Sequence, residues 1–228
     1  MSAPFKKLID LTQTLDLQAP TWEGSCGFHV DIKLDYQDCT SDLPFRVQSL
    51  HCLAGIGTHI DAPCHCFPQS QDVSSLSLET LVAPFIKIDI EERAGENDSV
   101  SENDILTFEK LHGRIEKGSI ALIHTGWQKH WSQKERYRNN LKFPHVSEKA
   151  AQLLLKRDVL ALAIDTLSPD PGDSNFPVHR LFLGSGKYII ENITGTKSLP
   201  AKGKWLFVMP MKGKGLSEAP IRLIAALE

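Results

Sequence analysis

Three side chains of the kind that bind divalent metals lie close together in segment 57–65. His59, Asp61 and His65 are separated by even numbers of residues. In an extended strand, even offsets place side chains on the same face. Two imidazoles and one carboxylate suit Zn²⁺, Mn²⁺ or Fe²⁺ better than Ca²⁺. The spacing is therefore compatible with a divalent-metal site.

Pro63 limits how far this strand can continue. It has no N–H to donate to a neighbouring strand, so we expect the strand to break between Asp61 and His65. A shared face is thus a firmer expectation for His59 and Asp61 than for His65. The same spacing also fits an ordinary strand with solvated or hydrogen-bonded polar groups, and spacing alone leaves both interpretations open.

Segment 57–65 reads Gly-Thr-His-Ile-Asp-Ala-Pro-Cys-His and resembles the Gly-Thr-His-x-Asp-Ala-Pro-x-His signature of the cyclase family. This family includes bacterial kynurenine formamidases and isatin hydrolases. Further motifs similar to those of the family follow in order from about residue 9 to residue 222: Asp10-Leu11, the Pro-x-Trp-x-Gly pattern at 20–24, Thr125-Gly126-Trp127, Asp165 to Asp170, His179, Glu191-Asn192, and Pro220 to Arg222. The resemblance therefore covers nearly the whole chain.

The resemblance implies metal-binding roles for four residues. His59 would bind one metal, Asp61 could bridge two, His179 would bind the second, and Glu191 could bridge both. The cofactor would be one or two divalent ions, Zn²⁺ first and Mn²⁺ as the alternative. The resemblance also implies a proton-transfer role for His65 and places Trp22 in the substrate pocket.

One position departs from the family pattern. The family usually has a further metal-binding histidine four residues before His59, where this chain has Gly55. His51 lies four residues further back, roughly 13 Å away along an extended strand, and cannot replace it without a bend. Cys52, Cys64 and Cys66 could compensate as thiolate ligands. We therefore expect one metal, held by some of the four residues named above.

The expected function is metal-dependent hydrolysis of an amide bond in a small molecule, as in the conversion of N-formylkynurenine to kynurenine and formate in tryptophan catabolism. A bound metal lowers the pKa of its water toward about 7. His65, with an ordinary pKa near 6.5, could accept and return the proton. Two alternatives remain: a lactam, lactone or ester hydrolase of unknown substrate, and a catalytically impaired family member that still binds metal.

Composition excludes several other classes of protein. The 228 residues carry a net charge of −3, and 41% are apolar. Binding nucleic acid requires a clustered basic surface, which this balance does not favour. The chain has no leader pattern and no run of the roughly 18 apolar residues that a membrane span requires. We therefore expect a cytoplasmic protein with a small-molecule substrate and no membrane or nucleic-acid partner. The resemblance further implies that the protein forms a homo-oligomer, either a dimer or a tetramer.

The elements that must position these residues indicate a mixed α/β fold. Ser101 and Asp104 have capping-box spacing, and Gly113 follows the apolar positions of a predicted helix. A second helix is predicted from near Ser147 to about Arg157. Strands are predicted at 85–90, 121–125, 160–164 and 206–209. We expect residues 1–228 to form a single compact domain, with mixed sheets or a barrel-like β core flanked by helices, of the swivelling β/β/α type.

Overall fold

The structure is a computed structural model that describes residues 5–228. Residues 1–4, which belong to the segment behind the expectation of no leader, lie outside the described residues. The strands are β1 (Lys7–Asp10), β2 (Phe28–Leu34), β3 (Val47–Cys52), β4 (His59–Asp61), β5 (Val82–Asp89), β6 (Ser99–Val100), β7 (Ile120–His124), β8 (His145–Val146), β9 (Ala161–Ile164), β10 (Tyr188–Glu191), β11 (Lys202–Pro210) and β12 (Glu218–Leu227). The α-helices are α1 (Leu78–Leu81), α2 (Glu102–His112), α3 (Lys134–Arg138), α4 (Glu148–Lys156) and α5 (Pro177–Gly184).

Seven strands close into a barrel-like sheet. Their order is β12, β11, β5, β7, β9, β10 and β4, and β4 pairs back onto β12. β5, β7, β9 and β10 run parallel, whereas β4, β11 and β12 supply the antiparallel pairings. β12 is long enough to pair with β4 at one end and with β1 at the other end. The expected α/β fold with a barrel-like β core is confirmed.

Successive side chains of a strand point to opposite faces of the sheet, so the apolar side chains are divided between two cores. On β7, Ile120 and Leu122 face the barrel interior, whereas Ala121 and Ile123 face the layer of helices outside it. The outer core is completed by apolar residues of the helices, including Ile105 of α2, Leu154 of α4 and Phe182 of α5. The parallel strands are runs of buried residues because the sheet is covered on both faces.

Both helices predicted from capping signals are confirmed. Ser101 caps α2 and forms the reciprocal capping box with Asp104, and Gly113 ends the helix with φ 79°. Ser147 caps α4 by accepting a hydrogen bond from the Ala150 N–H. The four strand predictions correspond to β5, β7, β9 and β11, although β5 and β11 are longer than predicted.

β2 and β3 form a separate two-stranded hairpin outside the barrel. It exposes several large apolar side chains, among them Ile32, Val47 and Leu50. His51 lies on this hairpin, 3.1 Å from Asp31, so it is not brought to the predicted metal site. None of the helices in the described part of the chain is long and apolar enough to cross a membrane.

Candidate metal centre

The candidate site lies on the outer face of the barrel, where β4 is paired between β10 and β12. Ile60 of β4 faces the barrel interior, so its neighbours His59 and Asp61 point outward. In the antiparallel register, His59 lies opposite Glu191 of β10. Asp61 lies opposite Glu218 of β12. Directly opposed residues share a face, so four polar side chains meet at one place on the sheet.

The His59 ring is oriented by a backbone carbonyl. Its Nδ1 lies 2.9 Å from the Gly57 carbonyl oxygen, which can only accept a hydrogen bond, so Nδ1 carries the proton. The other ring nitrogen, Nε2, lies 3.4 Å from a carboxylate oxygen of Asp61 and 3.4 Å from one of Glu191. Gly57 has φ 63°, a left-handed conformation that favours glycine and turns its carbonyl toward this ring.

His179 approaches the same point from α5. Asp170 accepts hydrogen bonds from the N–H groups of Val178 and His179 and from Nδ1 of the His179 ring, at 2.8–3.1 Å. Nε2 of His179 is therefore unprotonated in the neutral ring, and it lies 3.4 Å from Glu191 and 3.6 Å from Asp61. A carboxylate that fixes the tautomer in this way is a common partner of metal-binding histidines.

The electrostatics of the buried groups favour a cation. Burial raises the pKa of Glu191, and the charge of Asp61 raises it further. Burial acts against a charge on His59, but Asp61 and Glu191 outweigh it and raise the pKa of His59 to about 10. Burial also opposes ionisation of Asp61, yet the His59 and His179 imidazoles hold its pKa well below the usual range. This part of the chain therefore attracts positive charge.

Two buried carboxylate oxygens have no hydrogen-bond partner, Asp61 Oδ1 and Glu191 Oε1. Unsatisfied buried carboxylate oxygens are costly unless something compensates them. Ligand atoms of His59, Asp61 and Glu191 all lie within 4.8 Å of one another, a spacing that could hold a metal ion. The residues present thus fit a divalent metal.

His65 lies at the edge of this cluster. Pro63–His65 forms a 3₁₀ turn, so the strand ends at Asp61 as Pro63 predicted. The His65 side chain is 32% exposed, and its Nδ1 lies 3.4 Å from Oε2 of Glu218. The interaction with Glu218 raises the pKa of His65, although burial opposes the effect. His65 is therefore the histidine of the site most accessible to a substrate.

A cavity of about 800 Å³ opens over these residues. Polar residues of the site form part of its lining, and Trp22, Phe67, Leu167 and Phe176 form an apolar wall. The Trp22 and Phe176 rings lie 5.9 Å apart. Arg180, which is exposed, also lines the cavity. Trp22 therefore lies in the cavity that contains His59, Asp61, His65, His179 and Glu191.

One residue of this site was not indicated by the sequence. Sequence reasoning missed Glu218, whose only signal was an acidic residue two positions before the Pro220 motif. Asp165 does not contact the metal-site imidazoles; it accepts hydrogen bonds from the backbone N–H groups of Thr125 and Gly126. The potential metal groups found among residues 5–228 include no cysteine.

Comparisons with known proteins identify relatives of this chain. A family model described as putative cyclase matches residues 9–171. Isatin hydrolase of Roseibium aggregatum is 27% identical over 185 residues, 74% of this chain and 70% of that protein. Kynurenine formamidase of Paracidovorax citrulli is 22% identical over 213 residues, 92% of this chain and 94% of that protein.

The fold also matches solved structures. Isatin hydrolase A of Labrenzia aggregata, bound to benzyl benzoate, superposes with a TM-score of 0.88 at 25% identity, covering 97% of this chain and 93% of that one. Isatin hydrolase A of Ralstonia solanacearum gives a TM-score of 0.87 at 24% identity, covering 97% and 92%. Since the family model matches well over half of the residues, the chain belongs to the putative cyclase family.

Proposed function

We propose that this protein is a metal-dependent hydrolase that cleaves an amide-type C–N bond in a small aromatic molecule. The observation that carries the proposal is the cluster of His59, Asp61 and Glu191. Its unpartnered buried carboxylate oxygens lie beside a cavity with an aromatic wall. His179 completes the set of metal ligands. The ion would be Zn²⁺ or Mn²⁺, because both accept mixed imidazole and carboxylate ligands.

A divalent metal in such a site polarises a carbonyl group and lowers the pKa of water. The residues of the chain supply the remaining functions. His65 is close enough to the cluster to accept a proton from the attacking water and return it to the leaving nitrogen. Nδ1 of His65 faces Oε2 of Glu218 at 3.4 Å, so Nε2 is the nitrogen that would carry out this exchange. Asp170 holds His179 in the tautomer that presents Nε2 to the centre.

The cavity favours an aromatic substrate. Trp22 and Phe176 pack at a distance that suits aromatic pairs, and both line the cavity. The relatives named kynurenine formamidase and the solved neighbour bound to benzyl benzoate point in the same direction. An N-formyl arylamine such as N-formylkynurenine is therefore the leading substrate, which would place the protein in tryptophan catabolism.

A second candidate activity is opening of a cyclic amide. It is favoured by the relatives and neighbours named isatin hydrolase, one of which matches this fold over nearly its whole length. The same metal ligands and the same proton transfer would serve a lactam, a lactone or an ester. The two candidates differ only in the shape of the substrate that the aromatic wall accepts.

The test is a substrate panel measured on protein stripped of metal and then reloaded with Zn²⁺ or Mn²⁺. We expect hydrolysis of an N-formyl arylamine or an aromatic lactam only after reloading, with slower turnover of aliphatic amides. The stripped protein is the control. Equal turnover with and without metal would refute the proposed function. Metal binding without hydrolysis of any formamide, lactam, lactone or ester would instead support the catalytically impaired alternative.

We also propose that the protein forms a homo-oligomer, a dimer or a tetramer. The support is the apolar surface that the β2–β3 hairpin exposes, since monomeric proteins rarely leave such surfaces uncovered.

A further inference from the structure

Gly55 leaves a space beside the metal ligands, and another residue occupies it. A Cβ atom built on Gly55 would overlap Oε1 of Glu218 and would lie 3.4 Å from Nε2 of His59. A side chain at position 55 would thus project into the volume next to the His59 ring. In this chain, the Glu218 carboxylate fills that volume.

The fold holds Glu218 there by strand register. Glu218 is the first residue of β12 and lies opposite Asp61. The adjacent residue, Ala219, faces the barrel interior, so Glu218 must point outward to the metal face. Ligand atoms of Glu218, Asp61 and His65 all lie within 4.8 Å of one another. The backbone pairing of β12 with β4 therefore fixes the position of Glu218.

The two oxygens of Glu218 face different neighbours. Oε2 lies 3.4 Å from Nδ1 of His65. Oε1 is the atom that a side chain at position 55 would displace, so it lies on the side of His59. Asp61 Oδ1, buried and without a hydrogen-bond partner, lies on the residue opposite Glu218 in the sheet. The Glu218 carboxylate thus lies near both His59 and His65 and opposite Asp61, whose buried Oδ1 has no hydrogen-bond partner.

We propose that Glu218 is a metal ligand that works with Asp61 beside His59, in the place left open by Gly55. The inference rests on the proposed metal-dependent function and adds a residue to its ligand set. A carboxylate in place of an imidazole makes the site richer in oxygen and more negative. Oxygen-rich sites favour harder ions, so the substitution shifts relative affinity from Zn²⁺ toward Mn²⁺.

The test measures the affinities of the full-length protein for Zn²⁺ and Mn²⁺ alone, by competition with a chromophoric chelator, together with the metal-dependent rise in Tm. We expect Glu218→Gln, which preserves shape and removes charge, to weaken binding of both ions at least tenfold and to reduce the rise in Tm. Glu92→Gln, the same change at an exposed position on the surface, is the matched control and should bind as wild type does.

A reciprocal exchange tests whether positions 55 and 218 share one ligand place. Gly55→His should weaken binding because its side chain collides with Glu218. The double variant Gly55→His with Glu218→Ser should regain affinity and prefer Zn²⁺ more strongly than wild type does. If the double variant folds but binds metal no better than either single variant, positions 55 and 218 do not share one ligand position.

The outcomes separate this inference from the proposed function. If wild type binds metal and Glu218→Gln binds it equally well, Glu218 is not a ligand, although the metal-dependent function stands. In that case a changed pH–rate profile would assign Glu218 to positioning His65 alone. If wild type binds neither ion, the proposed function itself fails, and the ligand assignment fails with it.

Discussion

His65 differs from the other two histidines of the site in exposure and in partner. The side chains of His59 and His179 are 4% and 8% exposed, and each has one nitrogen fixed by an acceptor and the other facing Asp61 and Glu191. His65 is 32% exposed and faces Glu218. A buried imidazole held between carboxylates suits metal binding, whereas an accessible imidazole beside a cavity suits proton exchange.

We therefore expect His65→Ala to retain metal affinity within about threefold and to lower kcat by about 10²–10⁴, the usual contribution of a general acid–base group. Metal titration and steady-state kinetics on the same preparation would check both effects. His29→Ala, at an exposed histidine on the hairpin, is the control. Hydrolysis at the wild-type rate would show that His65 does not transfer the proton, and loss of metal binding would make it a ligand instead.

At the scale of elements, the N-terminus of α5 links helix placement to metal binding. Asp170 accepts hydrogen bonds from the first turn of the helix and from the His179 ring at the same time. One side chain thus caps α5 and orients a proposed metal ligand. The other proposed ligands come from β4, β10 and β12 of the sheet, so the place of His179 in the site depends on this contact.

Asp170→Ala should lower both the stability of the protein and its metal affinity. Loss of the cap is expected to cost about 1 kcal/mol in the free energy of unfolding. Loss of the His179 partner should lower metal affinity by about 10- to 100-fold. Chemical denaturation and chelator competition measure the two quantities. Ser147→Ala, which removes the cap of α4 away from the site, should lower stability by a similar amount while metal affinity stays constant. If both variants bind metal equally well, α5 does not depend on Asp170 for its role in the site.

At the scale of the whole molecule, the β2–β3 hairpin stands apart from the closed sheet. Its strands pair only with each other among the described residues, and Leu50 is 65% exposed. A two-stranded hairpin is marginally stable by itself, so an apolar hairpin is expected to gain stability by packing against another surface. A second copy of the chain is the partner that a homo-oligomer would provide.

Light scattering coupled to size-exclusion chromatography should therefore give the mass of a dimer or tetramer. Leu50→Asp should shift the protein toward smaller species, because it places a charge in the apolar surface. Leu111→Asp, at a leucine of α2 that is 70% exposed, is the control and should leave the mass unchanged. A monomeric wild type at micromolar concentration would contradict the proposed assembly.

The sequence by itself determined the parts of this protein that depend on short-range rules. The capping box at Ser101 predicted a helix because its hydrogen bonds join residues three apart. Alternation placed His59 and Asp61 on one face, and Pro63 marked the end of their strand. His179 and Glu191 came only from the family resemblance, since no local pattern connects them to His59.

Only the tertiary structure decided which distant residue would meet Asp61. Glu218 reaches the site because β12 closes the barrel against β4, in a register set by the packing of Ile60 and Ala219 inside it. No spacing in the sequence encodes that pairing, because strand neighbours in a closed sheet are selected by the burial of all their interior side chains at once. Gly55 looked like a missing ligand in the sequence; in the fold, it is the space that Glu218 occupies.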